Sequence, residues 1–243
     1  MLWLSRKDIE HISRRLLRDY LKKVPQKVDH IDPTDFAEKM CGLQFTFADI
    51  SEAHDAIGLT ATSGVIITIP QRDGTRLDYE LDGKTAFIDQ SLVAENQIGR
   101  LNFTMMHEAA HQLFWMLYPE EYEAQIPRCV FRMADEHTQY PVLDWEEWQT
   151  NVLTSFLLLP KELVYRHMAD VGLKDGISVL NRIYARKDYE HFSEAAKRLG
   201  VSKTALTIRS SQLGLVGRND LYGGVLPWAA MPLTAGNDRK KAA

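Results

Sequence analysis

Apolar residues recur at helical spacing near the start of the chain. Ile9, Ile12, Leu16, Leu17, Tyr20 and Leu21 share one face between Asp8 and Val24, and Pro25 stops the run. A second helix opens at Asp32-Pro33, a capping carboxylate followed by proline at the first helical position, and closes at Gly42. The period then shortens to two. Gln44 to Phe47 alternates, Gly64 to Ile69 is rich in β-branched residues, Leu77 to Leu81 alternates, and Thr85 to Ile88 follows a turn at Asp82-Gly83. These segments predict three or four strands in a small antiparallel or mixed sheet.

Helical spacing returns at Gln97, with Ile98, Leu101, Met105 and Leu113 on one face and Pro119 at its end. A poorly patterned stretch, 120–143, separates it from a helix opened by Asp144. That helix carries Trp148, Val152, Ser155, Phe156 and Leu159 along one side and is closed by Pro160. Beyond Lys161 the chain reads as short helical pieces. Phe192 to Arg209 has the pattern helix, glycine turn at Gly200, helix capped by Ser202, with Ala195 or Ala196, Val201, Ala205 and Ile208 as the small and branched contacts of a tight pair. Lys197, Arg198, Lys203 and Arg209 give this helix-turn-helix-like segment local positive charge. The expected organisation is an α+β fold: a catalytic domain over 1–165, a helical module over 166–226, and a small, polar and basic tail over 227–243.

Composition narrows the picture. A chain of 243 residues, 45% hydrophobic, can bury one catalytic core with a small appended module, and 26% charged residues exclude global disorder of the usual kind. A net charge of −4 supplies no overall drive toward nucleic acid or an anionic membrane. The two cysteines, Cys41 and Cys129, form no CxxC pair and no disulfide framework, which fits reduced thiols in the cytoplasm. The N-terminus lacks a signal-peptide apolar region, and the central run Phe156 to Leu159 is too short to span a bilayer, so a cytoplasmic protein without membrane association is expected.

The chemistry concentrates at His107-Glu108-Ala109-Ala110-His111. Histidines four apart on a helix project from one face and reach a single zinc ion, while the intervening glutamate stands close enough to take a proton from a metal-activated water. A catalytic zinc needs a third protein ligand. The helix after Asp144 offers Glu146 and Glu147, of which Glu147 lies at the edge of the buried face. Asp144 and Glu147 also have the spacing of a capping box, so ligand and cap are both open readings from the residues alone. Within the 35 residues between His111 and Glu147, His137 and Tyr140 are the available oxyanion donors, and Asn151 is placed to orient a ligand or cap the backbone.

The segment Gly99 to His111, with Arg100 and Phe103-Thr104 ahead of HEAAH, followed by Glu147-Trp-Gln-Thr-Asn151 and Leu157-Leu-Leu-Pro160, resembles the ImmA/IrrE family of metallopeptidases. The resemblance spans about Pro33 to Leu215. It implies a minimal zincin-like core, Glu147 as third ligand, one zinc per chain, and a substrate that is itself a DNA-binding repressor of a mobile element or stress response. Thr150, Ala110 and Leu159 depart from the alanine, glycine and methionine usual there and leave every candidate ligand intact. Imidazole and carboxylate suit manganese and iron as well as zinc. Direct DNA binding by the C-terminal segment is disfavoured by the acidity of the chain. A metal-binding transcriptional regulator without catalysis is the main alternative, and one half of a toxin–antitoxin pair a weaker one.

Overall fold

The computed structural model describes residues 3–25, 27–51, 56–61, 64–71, 74–123, 130–134 and 145–219. Cys129, His137, Tyr140, Asp144 and the tail expected over 227–243 lie outside them. In chain order the elements are α1 (Arg6–Lys23), α2 (Pro33–Cys41), β1 (Gln44–Ala48), β2 (Ala56–Ala61), β3 (Val65–Pro70), β4 (Arg76–Leu81), β5 (Thr85–Asp89), α3 (Ile98–Leu117), α4 (Pro119–Glu123), β6 (Val130–Ala134), α5 (Trp145–Leu158), α6 (Lys161–Asp170), β7 (Ile177–Leu180), α7 (Arg186–Arg198), α8 (Lys203–Gln212) and β8 (Val216–Asn219). The fold is mixed α+β with small sheets. No helix among the described residues is long and apolar enough to cross a membrane.

The first two helices form where their caps dictate. Ser5 and Asp8 make a reciprocal capping box at the start of α1. Asp32 accepts the amides of Thr34 and Asp35 at the start of α2, and Gly42, at φ 67°, ends that helix in the left-handed conformation. A four-stranded sheet follows in the order β1-β5-β2-β6, with β1 parallel to β5 and β2 antiparallel to both its neighbours. The segment 64–81 does form strands as expected, but β3 and β4 pair only with each other. Their buried residues Ile67, Ile69 and Leu81 cluster with Leu59, Ala61 and Phe87, so the hairpin covers one face of the sheet.

Helix α3 packs on β2 and, away from the sheet, on α2 and α5. It is buried without interruption from Thr104 to Phe114, because it has core on more than one side rather than a single wet face. A register shift between Ala56 and Gly58 re-aims the start of β2. From there Gly58 and Thr60 face α3, while Leu59 and Ala61 join the hairpin cluster.

The C-terminal segment shares this core. One continuous apolar cluster contains Ile9, Phe36, Met106, Leu113, Leu153 and Phe156 together with Met168, Phe192, Ala195, Leu199, Val201 and Leu206, on both sides of the boundary drawn at 165/166. The helix–glycine–helix pattern is realised by α7, Gly200 at φ 67°, and α8 with Ser202 accepting the Ala205 amide. Its turn closes on the first residues of α3. Asn102 Nδ2 donates to Gly200 O at 2.8 Å, and a Cβ at Gly99 would meet the backbone of Val201 and Ser202. Arg209 is not part of the exposed positive charge expected there. It is buried, Nε donates to Leu159 O at 3.0 Å, and its guanidinium stacks 4.5 Å over Phe156. Burial lowers its pKa to about 10, so it remains charged at neutral pH.

Candidate metal centre

His107 and His111 lie one turn apart on α3, both fully buried, and face the first turns of α5. Glu147 reaches them from α5: Oε2 is 3.2 Å from His107 Nε2 and Oε1 is 3.2 Å from His111 Nε2. The two Nε2 atoms are 3.0 Å apart. A metal with bonds of about 2.0–2.1 Å at near-tetrahedral angles requires neighbouring ligand atoms about 3.3 Å apart. The three side chains therefore converge at the separation that one such ion needs, and they form the group of potential metal ligands found among the described residues. Two imidazoles and a carboxylate fit a borderline divalent ion and do not choose between zinc, manganese and iron.

The surroundings hold this geometry. Thr150 Oγ1 donates to Glu146 O at 2.9 Å and stands 3.4 Å from His111 Nδ1. With its own proton directed to the carbonyl, the hydroxyl has a lone pair for an Nδ1 proton, which turns the Nε2 lone pair of His111 toward the cradle. The first turn of α5 is anchored from the N-terminal segment. Leu4 N donates to Gln149 Oε1 at 2.8 Å, and Trp3, Trp145 and Trp148 form a run of rings with centroid spacings of 5.0 and 4.5 Å.

Glu108 lies beside the cradle and not in it. It is fully buried, and neither carboxylate oxygen has a hydrogen-bond partner among the described residues. Burial, reinforced by the like charge of Glu147, raises its pKa well above the ordinary carboxylate range. Glu147 behaves oppositely: burial opposes its ionisation, but His111 and His107 outweigh it and hold the carboxyl well below the usual range. Space for Glu108 comes from Gly58, where any Cβ would collide with its carboxyl group. The stripe Thr104, Glu108, Gln112 lies along β2, and Gln112 Nε2 donates to Thr60 Oγ1 and Ala61 O, both at 2.8 Å.

Of the residues singled out in the sequence, His107, Glu108, His111 and Glu147 come together. Glu146 is outside the ligand group, and its backbone carbonyl receives the Thr150 hydroxyl. Asn151 makes no hydrogen bond to the three ligands among the described residues. It lines a crevice with Arg6, Ser155 and Phe156, and the residue beside His111 is Thr150. His137 and Tyr140 fall outside the described residues. The sequence alone assigns no role to Thr150, noted only as a departure from alanine, or to Gly58, which sits in a strand without alternation.

No protein-family model matches the chain, and a search of curated proteins found no match to it.

Proposed function

We propose that this chain is a metal-dependent endopeptidase, with zinc held by His107, His111 and Glu147 and with Glu108 moving the proton. The reading rests on one observation above all: a carboxylate with no exposed surface, and no hydrogen-bond partner among the described residues, stands next to the three ligands. An unpaired buried carboxyl group costs several kcal/mol, and a purely structural metal site has no use for it. A metal bound there supplies a Lewis acid and a water acidified toward neutrality. Glu108 accepts the proton of the attacking water and delivers it to the departing amine. Its raised proton affinity suits a group that holds a proton and hands it on. Glu147 and the two histidines fix the position of the ion, Thr150 orients His111, and Gly58 sets how far Glu108 extends.

A zincin-like core of ImmA/IrrE type, with a DNA-binding repressor as substrate, is the finer form of this proposal and rests on the resemblance between 99 and 160. Against the alternative of a non-catalytic regulator stand the Glu108 environment and the burial of Arg209, which removes one of the four cations of the helix-turn-helix-like segment from any phosphate contact. The test compares wild type with Glu108→Gln. Both proteins should retain about one zinc per chain by elemental analysis. Only wild type should generate new N-termini in a denatured-protein peptide library, read by mass spectrometry. Equal cleavage by the two proteins refutes the role of Glu108, and a zinc-loaded wild type that cuts nothing, including a repressor encoded beside it, returns the regulator reading.

A further inference from the structure

Helix α3 lines a second concave site on a face turned away from the metal cradle. Met105 precedes His107 by two residues, which is about 200° around a helix. Ile98, Leu101, Asn102 and Met105 recur at three- and four-residue spacing and open onto a cavity of about 530 Å³. Its floor belongs to the smallest apolar cluster, where Met105 packs with Ile57, Ile88 and Leu92 and where Phe45 and Leu101 are only partly covered. Strand β1 adds Phe47, two residues from Phe45 and so on the same face of the strand. Ile98 is 52% exposed and Phe47 43%, so two of the large apolar side chains that the fold leaves uncovered meet at this one place.

The opposite wall is basic. Lys197 and Arg198, at the end of α7, line it together with His30. Lys197 makes no ion pair among the described residues, and Arg198 engages Glu194 through Nε, at 2.8 Å. Asp32 is the one carboxylate among the lining residues, and it is occupied by the Thr34 and Asp35 amides at the start of α2.

We propose that this cavity binds a small anionic amphiphile, a carboxylate on an acyl or aromatic body, with the head on Lys197 and Arg198 and the body on Phe45, Phe47, Ile98, Leu101 and Met105. The volume falls within the range of about 300–1,000 Å³ typical of small-molecule sites, and apolar walls with a few convergent polar groups are their usual composition. A neutral apolar molecule leaves Lys197 unused, and a compact anion leaves Phe47 and Ile98 in water. Only a ligand with both parts satisfies both walls. The site does not depend on the metal reading, because none of its residues belongs to the cradle.

The probe is decanoate, titrated below its micellar concentration into full-length protein carrying ¹³C-labelled methionine methyl groups, with the Met105 signal assigned through Met105→Leu. The Met105 signal should shift saturably. Octanoate should bind roughly tenfold more weakly, as two methylenes leave the apolar wall. Decanol, and decanoate with Lys197→Glu, should each weaken binding by about tenfold, the factor that a single charged contact of about 1.4 kcal/mol supplies. Ile98→Glu, at the exposed first position of α3, should abolish it, and Lys187→Glu, exposed elsewhere on α7, should leave it unchanged. Absence of a saturable Met105 shift overturns the proposal, as does a decanoate affinity equal in Lys197→Glu and Lys187→Glu. A Met105 shift produced by anionic phospholipid vesicles but not by free decanoate would assign the cations to a lipid surface and overturn it as well.

Discussion

Gly58→Ala should impair catalysis without disturbing the metal ligands. Gly58 is not among the glycines with positive φ, so alanine brings no backbone strain and the effect is steric. The new Cβ would lie 2.7 Å from Thr104 Cγ2 and 3.1 Å from Glu108 Cδ, and closer still to Glu108 Oε1. Carbon atoms in contact prefer about 3.5–4.0 Å, so the Glu108 carboxyl must retreat by about 1 Å. A reacting group displaced that far loses about 100-fold in rate. Overpacking of this kind costs about 1–3 kcal/mol, and the lower entropy of the unfolded alanine chain offsets about 0.4–1 kcal/mol. The net, about 1–2 kcal/mol, corresponds to a melting temperature about 2–8 °C lower for a chain of this size. Zinc content, thermal melting and turnover of a peptide cleaved by wild type read the three quantities separately. Repeating the change in a Glu108→Ala background isolates the contact: with the carboxyl gone, Gly58→Ala should cost about 1 kcal/mol less. Strict additivity of the two changes, together with wild-type turnover of Gly58→Ala, would show that β2 does not set the position of Glu108.

Thr150→Val should weaken zinc binding about 10- to 100-fold in a chelator competition while Thr150→Ser stays near wild type, because only the hydroxyl meets His111 Nδ1; equal affinities for Val and Ser would dismiss it as a positioning residue. Burial pushes the Cys41 thiol from 9.0 up to about 11, so in a Cys129→Ser background its reaction with a disulfide reagent at pH 8 should be about 100-fold slower in the folded than in the unfolded protein. The sign follows from a raised folded pKa: the contribution to stability is complete below pH 9 and is lost as pH rises toward 11. Arg209→Leu should lower stability in urea by about 2 kcal/mol, since Leu159 O loses a charged donor, whereas Lys203→Leu at an exposed position should stay within about 0.5 kcal/mol; equal effects would contradict the buried role of Arg209.

What could be read from the sequence was whatever local chemistry dictates. The caps at Asp32 and Ser202, the turns at Gly42 and Gly200, and the HEAAH spacing each act within a few residues, and each appears where expected. Strand β2 was missed because all six of its residues are buried, so Ala-Ile-Gly-Leu-Thr-Ala shows no alternation. Strands β7 and β8 are four residues each and form only by pairing with one another across 35 intervening residues, from 181 to 215. The choice between ligand and cap for Glu147 was undecidable locally, because the histidines that draw it lie on another helix. Thr150 illustrates the same limit: an alanine-to-threonine difference looks like packing until the imidazole beside it is in place.

The unbroken burial of α3 from Thr104 to Phe114 has a single physical explanation, that each of its faces has a different occupant. Thr104, Glu108 and Gln112 meet β2, and His107 and His111 meet Glu147. Gly99 and Asn102 meet the turn between α7 and α8, and Met105 packs with Ile57, Ile88 and Leu92. A helix used this way has no stripe left for solvent along its middle, so its polar groups depend on neighbours, and Thr104 Oγ1 and His107 Nδ1, like the Glu108 carboxylate, find none among the described residues. Gln112 is satisfied by Thr60 and Ala61, and Glu108 is not satisfied by anything among the described residues. The same packing ties the C-terminal helices to the scaffold, since a Cβ at Gly99 would strike backbone rather than a side chain that could move aside. The turn of the helix-turn-helix-like segment thus sits against the start of the helix that carries the histidines.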